Sequence, residues 1–171
     1  MQCIALIAIG LASLNTTRQH LDVSLDPATG QVEGSTTIQV GQGGDLQYEL
    51  NAAARVHSVS VNGEPRSVPL SGLVADIPHG ASVQVMWTGT HREDVEAGEK
   101  VGQIHNFSVN AHVGTEGVFL SDGSNWYPQP VDEQGVAHLR KMSITIDPID
   151  GWTLVASGDP QCAGEMTSAC W

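Results

Sequence analysis

Apolar and polar residues alternate with a period of two along much of this chain, and that pattern limits the folds open to it more than any other feature does. Between Gln31 and Val40, Val32, Ile38 and Val40 share one parity with Gly34 and Thr36, whereas Gln31, Glu33, Ser35, Thr37 and Gln39 take the other. A segment of this kind satisfies its side chains as a strand with one buried face. The same period recurs at Val59 and Val61, at Val83, Val85 and Trp87, at Met142, Ile144 and Ile146, and at Trp152 with Leu154. Nothing comparable repeats at helical spacing. Turn residues separate the runs at Asp26-Pro27-Ala28-Thr29-Gly30, Asn62-Gly63, Pro78-His79-Gly80 and Asp147-Pro148-Ile149-Asp150-Gly151. The sequence therefore predicts an all-β domain, an antiparallel β-sandwich or saddle-like sheet.

The 171 residues suffice for one domain, and no repeat or second boundary interrupts them. With 19 acidic against 7 basic side chains the net charge is −12, which repels phosphate backbones and anionic lipid, so neither nucleic acid nor an acidic membrane is an expected partner. Residues Ile4 to Leu14 form an apolar run of signal-peptide length, too short to span a bilayer. No positive residue precedes it, so a mis-set start or a first strand competes with that reading. Residues 1–17 are expected to be a signal peptide or truncated leader and residues 18–171 a single β domain of an exported protein, whether periplasmic, cell-envelope or extracellular. Cys162 and Cys170 would then be the cysteines left, bridged or free. From Thr90 to Glu116 the alternation stops and charges of both signs mix, which predicts a solvated loop.

No complete catalytic set is legible. None of the seven histidines is followed by Glu, so the H-E-x-x-H zinc signature is absent, and His105 and His112 would face opposite ways on one strand. Asp122-Gly123-Ser124-Asn125 lacks the G-x-S-x-G elbow, leaving Ser124 as a turn residue. Gly41, Gly43 and Gly44 precede no helical pattern and predict a hairpin, not a phosphate cradle. Asp122, Asp132 and Glu133 match no calcium-loop spacing. No catalytic, cofactor-binding or metal-binding residue is assigned to this chain.

The segment Gly117 to Pro128 is the most distinctive, an apolar strand leading into Trp126-Tyr127-Pro128. It reads as a core-filling aromatic corner or, alternatively, as a ligand platform. Together with His20 to Asp26, Gly34 to Val40, and Ile144 to Gly158, it gives the chain a resemblance to the N-terminal β domain of aminopeptidase N-like (gluzincin) zinc metallopeptidases, over residues 18 to 158. The resemblance implies a parent whose zinc and H-E-x-x-H motif lie in a catalytic domain absent from this chain, with peptide as substrate. It also implies a chain that stops while the N-terminal domain is still being completed. Family members carry a Gln or Glu ahead of their aromatic-Pro corner that helps hold the substrate's amino terminus. Here that segment reads Val118-Phe119-Leu120-Ser121-Asp122, so Glu116 or Asp122 would have to substitute.

The expected function is that of a non-catalytic N-terminal domain of a zinc metallopeptidase. It would shape the substrate cleft and pack on its catalytic domain through residues such as Glu116, Asp122, Trp126 and Tyr127. The competing expectation is a free-standing secreted β-sandwich that binds carbohydrate or protein through the Trp126-Tyr127 corner or the charged loop.

Overall fold

The computed structural model describes residues 16–69, 72–92, 111–132, 141–152 and 169–170. Twelve strands are present among them: β1 (Thr16–Asp26), β2 (Gln31–Val40), β3 (Gly44–Glu49), β4 (Ala54–Val61), β5 (Glu64–Arg66), β6 (Leu73–Ile77), β7 (Ser82–Thr90), β8 (Ala111–Gly114), β9 (Gly117–Leu120), β10 (Gln129–Val131), β11 (Lys141–Ile146) and β12 (Ala169–Cys170). One 3-10 turn, Asp122–Ser124, precedes β10. The leader run Ile4 to Leu14, most of the charged loop, His105 and Cys162 lie outside the described residues.

A seven-stranded sheet in the order β12-β11-β1-β2-β7-β4-β5 faces a three-stranded sheet, β10-β3-β6, and β8 and β9 form a separate hairpin. All pairs are antiparallel except β1 with β11. In β2 and β7 the alternation places its apolar parity inside as expected, whereas in β11 Met142 is 45% exposed and Ile144 and Ile146 are half-buried, and Leu154 lies outside the described residues. Leu21, Val23 and Leu25 of β1, Val32, Ile38 and Val40 of β2, and Val83, Val85 and Trp87 of β7 meet Leu46, Tyr48, Val74 and Ile77 from the smaller sheet in one core. Each such side chain contributes about 1.5–3 kcal/mol by leaving water.

The two small residues on the inward parity of β2 have a reason to be there. The Trp87 indole lies across Gly34, where an added Cβ would come within 2.6 Å of Cζ2. Its Nε1 donates to Thr36 Oγ1 at 3.0 Å. A larger residue at Gly34 would displace the ring, and a side chain without an acceptor at Thr36 would leave a buried N–H unpaired.

The turns form where their residues predict. Asp26 closes the β1–β2 turn, accepting from Ala28 N at 3.0 Å and Thr29 Oγ1 at 2.7 Å. The Thr29 hydroxyl is the larger influence holding the Asp26 carboxyl below its ordinary pKa. Asn62 and Gly63 both adopt positive φ, 51° and 83°, which is the backbone of a tight β4–β5 hairpin.

Two expectations are corrected. The glycines Gly41 to Gly44 do not make a hairpin, because β2 and β3 belong to different sheets and the segment carries the chain across the sandwich. The predicted loop also contains a strand: Ala111, His112, Val113 and Gly114 are all buried as β8. A strand buried on both faces has no polar parity to show in sequence.

Candidate functional site

The aromatic corner is core. Trp126 and Tyr127 are 6% and 1% exposed. Trp126 packs edge-on against Trp87 with centroids 5.8 Å apart, and against Tyr127 at 4.9 Å. The buried Gln19 of β1 donates from Nε2 to Pro128 O at 2.8 Å, which ties the corner to the middle of the large sheet. Neither ring presents a flat face to a ligand. Ser124 is the turn residue expected, its Oγ donating to Ser121 O at 2.6 Å. Asp122 starts the same 3-10 turn, just ahead of the corner.

Glu116 has a different setting. A run of backbone bonds positions its hairpin: His91 N donates to Gly30 O at 2.9 Å, and Val113 N donates to His91 O at 2.7 Å, so β8 hangs from the β1–β2 turn by way of the end of β7. Arg92 reinforces the link, donating from Nη2 to Ala28 O and bridging His112 through the backbone. The β8–β9 hairpin then turns through Thr115 and Glu116. The Glu116 side chain is 65% exposed, and its Oε1 lies 2.8 Å from His112 Nε2. Its own backbone N–H and the His112 imidazole hold the carboxyl below the ordinary glutamate value. At neutral pH the hairpin tip carries a fixed negative charge. Next to it, Phe119 is 54% exposed on β9.

Two further arrangements carry no signature in the sequence. A groove of about 770 Å³ opens between β3 and β4, lined by Glu49, Asn51, Arg55, His57, Val68 and Asn125 among others. Asn125, at φ 50°, donates from Nδ2 to Glu49 Oε2 at 3.1 Å. On the outer face of the large sheet, His20 joins Ser143 Oγ, 2.8 Å from Nδ1, to Asp22 Oδ1, 3.0 Å from Nε2. These residues come together because β1 and β11 are neighbours across 123 positions, too far apart for any local motif. The connectivity is that of a serine–histidine–aspartate chain. It sits on an open, polar sheet face, and the backbone groups of β1 are engaged by β2 and β11 on either side, so no paired donors face a developing oxyanion there. No group of three His, Cys, Asp or Glu side chains able to hold a metal ion occurs among the described residues.

No protein-family model matches the sequence, and no curated protein matches it. Solved structures do. An M1 zinc metallopeptidase mutant from Deinococcus radiodurans, bound to a Tyr-Ser-Ala substrate, superposes with a TM-score of 0.62 over 92% of this chain at 14% identity. The fold is that of the N-terminal β domain of M1 zinc metallopeptidases. The unmutated Deinococcus radiodurans enzyme gives a TM-score of 0.61 at 15% identity, and native yeast LTA4 hydrolase 0.55 at 12%, again over 92% of this chain. The chain spans 38% of the length of the Deinococcus structures and 26% of the yeast hydrolase. It shares its architecture with one part of those longer chains.

Proposed function

We propose that this chain serves as the non-catalytic N-terminal domain of an exported zinc metallopeptidase, forming one wall of a peptide cleft and packing against a catalytic domain. The observation that supports this reading is the M1 fold over 92% of the chain, matched to only 38% of a much longer peptidase. The zinc and the general base belong, on this reading, to the catalytic domain. The buried Trp126-Tyr127 corner supports a scaffold role over a carbohydrate or protein platform at that position.

Within the cleft wall the substrate contact is assigned, on this reading, to Glu116, an exposed carboxylate at the hairpin tip ahead of the aromatic corner. It would pair with the protonated amino terminus of a peptide. The purified 171-residue chain should release no measurable product from aminoacyl-arylamides with or without added zinc; chelator-sensitive turnover would show that the chain carries its own active site. Reading the gene beyond the Trp171 codon provides the second arm. An in-frame H-E-x-x-H within a few hundred codons supports the proposal, and its absence from every frame overturns it.

A further inference from the structure

We propose that His112, seated across Gly114, is a positioning residue that fixes Glu116 so that one carboxylate oxygen stands ready for the ammonium group of a peptide amino terminus. This rests on the reading of Glu116 given above and adds the means by which the site is built.

The pair is unequal in burial. The imidazole side chain is 11% exposed and the carboxylate 65%, so packing fixes the partner and leaves the acid facing solvent. An ionised carboxylate only accepts hydrogen bonds, so His112 Nε2 carries the hydrogen and donates to Oε1. Both side chains lie over Gly114, where an added Cβ would come within 2.5 Å of His112 Nε2 and 2.7 Å of Glu116 Oε2. Those approaches are below contact distance for any side chain, so the glycine is the floor of the arrangement. Oε1 accepts from the imidazole. Oε2 lies 3.4 Å from Thr115 Oγ1, and the exposed carboxylate, although its own backbone N–H also faces it, keeps capacity to accept.

An unrestrained surface glutamate loses rotamer freedom when a ligand orders it. Here the ordering is done in advance by a partner locked in the hairpin. A compact ammonium suits a single free oxygen, whereas a guanidinium would need both oxygens of the acid. The −12 net charge of the chain favours approach of a cation in general.

The test is NMR of the full chain labelled with ¹³C and ¹⁵N, following the Glu116 carboxyl carbon during titration with Ala-Ala-amide, N-acetyl-Ala-Ala-amide and N-acetyl-lysine-amide. Saturable shifts are expected with the free amine at millimolar concentration and none with the blocked peptide. Glu116→Gln should weaken binding about tenfold. His112→Asn keeps a polar side chain that cannot reach Oε1 and should weaken binding about fivefold, whereas His112→Gln, which can reach it, should restore most of the affinity. Unchanged binding in Glu116→Gln overturns the reading of Glu116 itself. Loss in Glu116→Gln with wild-type binding in His112→Asn leaves that reading standing and overturns the positioning role. Equal binding of the lysine derivative overturns the commitment to an amino terminus and leaves a general ammonium site.

Discussion

Tyr48 shows how single residues in this core can be read for energy. It is 3% exposed, and its hydroxyl is buried without a hydrogen-bond partner among the described residues. Burial also pushes its pKa above the ordinary tyrosine value. A desolvated hydroxyl with no partner costs free energy, so Tyr48→Phe should leave stability unchanged or raise it by about 1 kcal/mol in urea denaturation, where most core substitutions lower it. Asp26 poses the opposite case. Its folded-state pKa lies below the ordinary value, first because of the Thr29 hydroxyl, so its stabilising effect is present above the unfolded pKa and fades as pH falls through the folded one. Thr29→Val should raise the Asp26 midpoint toward the ordinary aspartate value in a ¹³C carboxyl titration. A midpoint that stays put would assign the shift to the turn's backbone donors instead.

Among the elements, the β4–β5 hairpin was readable because Asn62-Gly63 can take the backbone such a turn requires, and Asn62 also accepts from Ser82 N at 2.9 Å. Asn62→Val places a branched residue at φ 51° and should cost about 1–2 kcal/mol by thermal or urea melting. Asn62→Gly keeps the conformation and loses only the side-chain bond, so it should cost less. The long strands β1, β2 and β7 were legible for the same local reason, one face wet and one dry. Other features were not, each with a physical cause. β4 changes parity at a bulge, pairing Val56 with Trp87 and Ser58 with Met86, so Val56 and Val59 both turn inward although their spacing is odd. β8 is buried throughout and shows no alternation, which hid the His112–Glu116 pair inside a predicted loop. The crossing of the chain between sheets at Gly41 to Gly44 looked like a turn because glycine marks both. At the site, Glu116 and Asp122 were reached through resemblance, whereas the groove and the His20–Ser143 contact depend on long-range pairing that no window of sequence contains.

At the scale of the whole molecule, only four of the nine strand pairs among the described residues join consecutive strands, and the large sheet depends on the distant pairings of β2 with β7 and of β1 with β11. Refolding of the chain should therefore fall in the millisecond-to-second range typical of non-local β topologies, as stopped-flow tryptophan fluorescence would show; a microsecond phase carrying the full amplitude would contradict the topology. The parallel pairing of β1 with β11 has a further consequence for how the protein is made. Arg18 pairs with Lys141, and a ribosome adding about 5–20 residues per second needs roughly 6–25 s to bring the second after the first. Once β2 has been made and has paired with β1, the other edge of β1 waits for a strand still being translated. Until its eleventh strand has been made, a nascent chain of this design therefore carries an open strand edge of the kind that recruits other strands.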